Sequence, residues 1–123
     1  MERVLGRFSS QTYALFRIVA GLLYACHGAQ KLFGVFGGRQ VELMSQMGLA
    51  GVIEFGGGLL IAAGFLTGTA AFVASGQMAW AYFQAHAPRG AVPIRNGGEL
   101  AALYSFAFLY IASKGTVTWG VRK

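Results

Sequence analysis

The sequence is poor in charged residues, cysteine and proline. Only 11% of its 123 residues are charged, whereas soluble domains average ~25%. Hydrophobic residues make up 55% of the chain, and a soluble protein of this length could not bury so much apolar surface. Lipid must therefore cover part of it. The length fits a single domain, residues 1–123.

One cysteine and two prolines are present. The lone Cys26 excludes an internal disulfide and a redox cysteine pair, and no metal site is predicted. Pro88 and Pro93 both fall in one predicted loop, between residues 86 and 98, and they should stiffen its backbone. This loop is expected to be ordered.

Acidic residues are also scarce, with four Asp and Glu against ten Lys and Arg. A net charge of +6 can indicate nucleic-acid binding. The basic residues lie at the termini and between apolar runs, however, which is typical of a membrane protein that faces anionic lipid. The predicted partner is therefore the lipid bilayer, and no nucleic-acid partner is predicted.

Four apolar segments approach the roughly 20 residues that a helix needs to cross a bilayer core. They cover about residues 11–33, 49–65, 69–85 and 99–119. The fourth reaches Trp119 only if Lys114 extends its amine to the membrane surface. The pattern predicts an all-α membrane protein, an antiparallel bundle of four transmembrane helices.

Basic residues near the helix ends bear on orientation. The side of the termini has five of them and the opposite side four. The first group is Arg3, Arg7, Lys114, Arg122 and Lys123, and the second is Lys31, Arg39, Arg89 and Arg95. The difference favours termini in the cytoplasm.

Four ionisable residues interrupt the apolar segments: Arg17, His27, Lys31 and Glu54. Inside a bilayer such groups face the bundle interior, pair with one another or mark a function. Glu54 lies in the antiparallel second helix at the depth of Lys31, so we expect an ion pair, either structural or part of a site. His27 is more typical of a packing histidine than of a proton carrier, although both interpretations remain open.

Arg17 lies near the opposite end of the first helix, and it also has two interpretations. Its guanidinium extends to the lipid headgroups, or it faces inward against a partner such as Gln77 or a bound anion. The two interpretations place its side chain in different surroundings.

The loop before the fourth helix contains Arg95, Asn96 and Glu99 on the same side as His27, Lys31 and Glu54. With His86 and Arg89, these residues would form a polar pocket at the outer membrane surface. The structural alternative is that Asn96 caps the fourth helix while Glu99 completes a capping box.

Aromatic residues occur at the same level, namely Trp80, Tyr82, Phe83 and Tyr104. They suit an interfacial belt or the walls of a site for a flat ring such as a quinone.

Three segments, taken in order, resemble the DoxX family, which is grouped with MauE-type four-helix membrane proteins. They are RIVAGLLYACHGAQKLFG, then VIEFGGGLLIAAGFLT, then Asn96, Gly97 and Glu99. The resemblance covers nearly the whole chain and implies a multi-pass protein of the bacterial cytoplasmic membrane. Proteins of this kind are linked to quinone-coupled sulfur oxidation, to thiol and oxidative-stress complexes, and to catechol or quinone resistance.

Two functions follow from the residues and the resemblance. In the first, the chain is a component of a membrane oxidoreductase that binds a quinone or similar molecule, with protons moved by Glu54 and His27 and negative charge stabilised by Lys31 or Arg95. The predicted catalytic residues are Glu54, His27 and Lys31, and the predicted ligand-binding residues are Arg17, Arg95, Asn96 and Glu99. Because no haem, flavin or iron–sulfur motif is present, electrons would come from a soluble redox partner or from the substrate itself. In the second, the chain is a non-catalytic scaffold or assembly factor that recruits a soluble enzyme, and a homo-oligomer is compatible with either.

Overall fold

The computed structural model describes residues 1–121, so Arg122 and Lys123, which entered the orientation argument, lie outside the described residues. The α-helices in this range are α1 (Glu2–Leu5), α2 (Ser9–Phe33), α3 (Gln46–Ala63), α4 (Thr67–Ala81), α5 (Pro93–Asn96) and α6 (Glu99–Lys114). A π-helical turn, Tyr82–His86, continues α4. No strand occurs within residues 1–121, and the all-α prediction is confirmed.

Local capping sets the ends of α3. The helix begins at Gln46, earlier than the predicted residue 49, because the Ser45 hydroxyl accepts a hydrogen bond from the Gly48 amide at 3.0 Å. A serine in this position satisfies one of the free amides of the first turn. The helix ends at Ala63 and is capped by Gly64, whose φ of 76° favours glycine.

The fourth long helix is shorter than predicted. It ends at Lys114 instead of Trp119, because Gly115 adopts a φ of 78° that turns the chain out of the helix. The following residues fold back beneath the bundle, where the Val121 amide donates to the Ala63 carbonyl at 3.0 Å.

The bundle is built from two close helix pairs. In the first, α2 meets α3 at glycines: a Cβ atom on Gly58 would lie 2.5 Å from the Gly21 carbonyl oxygen. Small residues of this kind let helix backbones approach closely. In the second, α4 meets α6, where Ser75 and Ser105 each donate a hydroxyl hydrogen bond to the other's carbonyl, at 2.7 and 3.0 Å.

The core lies between these two pairs. Its largest fully buried apolar side chains come from α2, α3 and α6, namely Tyr24, Ile61, Phe108 and Ile111. Alanines of α4 fill the space opposite them. Large apolar side chains on the outer faces of the long helices, such as Leu23, Phe72 and Phe106, stay exposed.

Within residues 1–121, one helix is long and apolar enough, by length and composition, to cross a membrane, and this helix is α3. The α4 and α6 segments have 15 and 16 residues, fewer than the roughly 20 that an untilted helix needs to cross a bilayer core. At 25 residues α2 is long enough, but Arg17, His27 and Lys31 make it more polar.

Candidate functional site

A chain of hydrogen bonds joins α2, α3 and α4 in the bundle interior. Lys31 Nζ lies 2.6 Å from Glu54 Oε1, which confirms the predicted ion pair. The other carboxylate oxygen of Glu54 accepts from the Gln77 amide nitrogen at 3.1 Å. The Gln77 amide oxygen in turn accepts from the Tyr24 hydroxyl at 2.8 Å. We call these four residues the polar chain.

The close approach of α2 and α3 allows the ion pair to form. A Cβ atom on Gly51 would lie 3.0 Å from the Lys31 Cβ atom, so a larger residue would push the lysine stem away from α3. Gly28, one turn before Lys31, faces the Phe55 backbone even more closely. The glycines therefore bring Lys31 within reach of Glu54.

A cavity of about 390 Å³ adjoins the polar chain. All four residues of the polar chain line this cavity. His27, Gln46, Gln84 and His86 add further polar side chains to its lining. Trp80 and Tyr104 form aromatic walls, while Met47 and Met78 supply apolar contact. Flat, partly apolar ligands with a few hydrogen-bonding groups suit such a lining.

His27 joins this cavity from α2. Its ring is half-buried and stands perpendicular to the Tyr104 ring, with 6.1 Å between the centroids. The neighbouring Cys26 is exposed and does not line the cavity. The structure therefore brings together the three predicted catalytic residues Glu54, His27 and Lys31.

Asn96 fixes the loop before α6 and does not cap the helix. Its side-chain amide nitrogen donates to the Tyr82 hydroxyl and the Gly90 carbonyl, both at 3.0 Å, and its side-chain oxygen accepts from the Gly98 amide at 2.8 Å. The N-cap residue of α6 is Gly98, and no side chain caps it. The capping-box alternative with Glu99 is wrong, because both ends of the Asn96 amide are used within the loop.

Of the residues predicted to form a polar pocket on this side, His86 reaches the cavity from the π-helical turn, whereas the predicted ligand-binding residues near it do not. His86 lines the cavity, and its Nδ1 atom lies 3.3 Å from the Asn96 carbonyl oxygen. Arg95 and Glu99 are exposed, and Asn96 is buried within the loop; none of the three lines the cavity.

Arg17 lies apart from the other predicted site residues, at the opposite end of α2. Its side chain is fully buried, so the prediction that it extends to the headgroups is wrong. The five N–H groups of its guanidinium donate to backbone carbonyls at 2.7 to 3.4 Å, and neither Gln77 nor an anion is needed as a partner. The carbonyls belong to Ile61, Ala62, Thr116, Thr118 and Trp119.

Several cavity residues were missed from the sequence. The signal for Gln77 was its place in the middle of an apolar helix, where a polar amide requires a partner. Tyr24 gave no such signal, because tyrosines are common in membrane helices. Gln46 and Gln84 reach the cavity through the start of α3 and the π-helical turn, neither of which was predicted.

Within residues 1–121, the helices have apolar outer faces and every buried side-chain polar atom has a hydrogen-bond partner, a combination typical of helical membrane proteins. The family model described as DoxX matches residues 12–87, which include all four residues of the polar chain. The protein therefore belongs to the DoxX family. Family membership indicates a membrane protein. The match ends before Arg95, Asn96 and Glu99, so it does not extend to these three predicted site residues.

An uncharacterized protein of Haemophilus influenzae is 41% identical over 109 residues, covering 83% of this chain and 81% of that protein. No solved structure matches the chain.

Proposed function

We propose that the protein is a four-helix, multi-pass protein of the bacterial cytoplasmic membrane that binds a small, flat redox molecule such as a quinone. It would serve as a component of a quinone-linked or thiol and oxidative-stress redox system. The observation that carries the proposal is the cavity of about 390 Å³ beside the buried ion pair of Lys31 and Glu54. Ligand sites commonly enclose ~300–1,000 Å³.

The membrane arrangement is supported by the helix lengths and outer faces. With 25 residues, α2 is about 37 Å long, enough to cross a bilayer core. The π-helical turn extends the 15 residues of α4 to His86, and α6, at about 24 Å, crosses a thinner part of the bilayer. Because the proposed spans number four, both termini would lie on the same side of the membrane. The distribution of basic residues favours the cytoplasm as that side.

The cavity residues fit the chemistry of a quinone. A quinone supplies the uptake and release of two electrons and two protons, and its ring carbonyls accept hydrogen bonds. Lys31 donates to Glu54 through one N–H group, and its remaining N–H groups are available to an oxygen in the cavity. His27 supplies a ring nitrogen that can donate or accept a hydrogen bond in the cavity, while Trp80 and Tyr104 provide faces for ring stacking.

The proposal is tested by mass spectrometry of small molecules that co-purify with the protein. We expect the wild type to retain a quinone that Glu54→Gln and His27→Ala lose. Glu99→Gln is the matched control for Glu54→Gln, because Glu99 is exposed and does not line the cavity. Lipid alone in the wild type, or a quinone retained equally by all variants, would contradict the proposal.

A scaffold function is the alternative, and the loop between α4 and α6 favours it. The Asn96 hydrogen bonds hold this loop in one conformation, while Arg89, Arg95 and Ile94 stay exposed. A fixed surface with two cations and an apolar side chain suits a soluble partner enzyme. Purification of the full protein from membranes should then recover a specific soluble protein that is lost in the Arg89→Ala and Arg95→Ala double variant. Recovery of the same proteins with both forms would count against this function.

A further inference from the structure

A second cavity, of about 420 Å³, lies on the outer side of the bundle between α3 and α4. We call it the lateral groove. Four of its lining residues also line the polar cavity, namely Gln46, Ala50, Gln77 and Trp80. The remaining three belong to the groove alone: Leu49, Ile53 and Val73. The two cavities therefore adjoin along one shared boundary.

The chemistry of the lining changes across this boundary. On the inner side are the Lys31 and Glu54 charges, and on the outer side are only Leu49, Ile53 and Val73. Gln77 lies at the boundary, and both ends of its side-chain amide are already bonded, to Glu54 and Tyr24. Ala50 contributes only a methyl group at this boundary, so its side chain leaves space between the two cavities.

The groove also opens to the surroundings of the helices. Leu49 and Val73 are both exposed, and they lie on the outer faces that acyl chains would cover in a bilayer. An apolar chain that left the polar cavity beside Ala50 would follow this groove into the lipid. A partner helix packed on the same face would cover the groove but would not contact the polar cavity behind it.

We propose that the ligand is an amphiphile whose flat polar head occupies the cavity and whose apolar chain lies in the lateral groove between α3 and α4. This inference rests on the proposed function and specifies its ligand as a molecule dissolved in the bilayer, which enters from the lipid. Val73 and Ile53 then determine whether a chain-bearing ligand is accepted. A chainless ring would fill the cavity without contacting either residue.

The test uses the fluorescence of Trp80, which lines both cavities. The protein has two tryptophans, and Trp119→Phe removes the other while keeping the backbone carbonyl that accepts from Arg17. The full chain in phosphatidylcholine nanodiscs is titrated with two probes, a benzoquinone with a decyl chain and the same ring without a chain. Quenching of Trp80 gives the dissociation constant of each.

Val73→Phe fills the groove, and Val52→Phe is the matched control. The two valines are 48% and 46% exposed, but Val52 lines neither cavity. We expect Val73→Phe to weaken binding of the decyl probe by about tenfold, the order of effect seen when extra atoms are forced into a filled site. The chainless probe should bind Val73→Phe and Val52→Phe with the same affinity as the parent protein, which carries Trp119→Phe alone.

Four results would overturn the inference. If Val73→Phe weakens both probes equally, or if Val52→Phe has the same effect, the groove does not hold the chain. If the chainless probe binds the parent and the decyl probe does not, the inference fails while the proposed function stands. If neither probe quenches Trp80 in the parent, quinone binding itself fails and the inference fails with it.

Discussion

Lys31 and Glu54 form one ion pair but are unequally buried. The Lys31 side chain keeps 21% of its surface exposed, whereas the Glu54 side chain keeps 2%, with 2.6 Å between their charged atoms. A lysine released from the pair can turn its flexible stem toward the open side of the cavity. A glutamate released from it stays between α2 and α4 with only Gln77 as a partner.

The unequal burial predicts unequal costs for breaking the pair. Lys31→Met leaves the Glu54 charge buried and should reduce the free energy of unfolding by about 3–5 kcal/mol. Glu54→Gln leaves the more exposed charge and keeps an oxygen that accepts a hydrogen bond, so about 1–2 kcal/mol is expected. Unfolding in dodecyl sulfate titrations of the purified variants measures both values.

The double variant Lys31→Met and Glu54→Gln is the control. Because it buries no unpaired charge, it should be more stable than Lys31→Met alone. Equal losses in the two single variants would show that the exposure of Lys31 in the structure does not govern the energetics of the pair.

Local patterns were enough to predict the ion pair. As consecutive spans of a bundle α2 and α3 run antiparallel, and charged residues at matching depth in a bilayer have few partners besides each other. The same reasoning placed His27 near Lys31 and Glu54 and predicted an all-α chain. These features depend on spacing along one helix or across one hairpin.

The surroundings of Arg17 and Asn96 could not be predicted in this way. Arg17 is surrounded by carbonyls of residues 116, 118 and 119, which reach it only because α6 stops at Lys114 and the chain folds back. The Asn96 side chain forms its hydrogen bonds within a loop whose path depends on the π-helical turn, Tyr82–His86. All the partners of Arg17 and two of the three partners of the Asn96 side-chain amide are backbone atoms, which carry no sequence signal.

The contacts of Arg17 predict that lysine cannot replace it. Lysine keeps the positive charge but has three N–H donors on one atom, whereas the guanidinium directs five toward separate carbonyls. Arg17→Lys should lose about 3 kcal/mol of stability, since hydrogen bonds to charged groups contribute ~1.5–3 kcal/mol each. It should also release the segment after Lys114, which limited proteolysis from the C-terminal side would detect as faster cleavage. Unchanged cleavage and unchanged stability would mean that the charge alone is sufficient.

Asn96→Asp tests the fixed loop with a nearly isosteric change. The aspartate oxygen that replaces the amide nitrogen can no longer donate to the Tyr82 hydroxyl or the Gly90 carbonyl, and it faces the carbonyl oxygen with a negative charge. We expect faster hydrogen exchange across residues 87–98 and a loss of about 2–3 kcal/mol. Arg95→Gln serves as the control, because Arg95 is exposed on the same short helix.

Glycine contacts hold α2 against α3. A Cβ atom on Gly58 would lie 2.5 Å from the Gly21 carbonyl oxygen and 2.6 Å from the Ala25 amide nitrogen, while one on Gly56 would meet nothing within 4 Å. Gly58→Ala must therefore separate two backbones and should cost about 1–3 kcal/mol. Gly56→Ala should be neutral or stabilise α3, because alanine is a better helix former than glycine by up to ~1 kcal/mol.

Thermal unfolding of the two alanine variants in one detergent compares them directly. Because α2 carries Lys31 and α3 carries Glu54, separating the helices at Gly58 should also lengthen the ion pair and weaken any ligand held beside it. A destabilised Gly58→Ala that binds ligand like the wild type would show that the cavity does not depend on the close packing of this helix pair. Equal stability of the two variants would argue against the close approach itself.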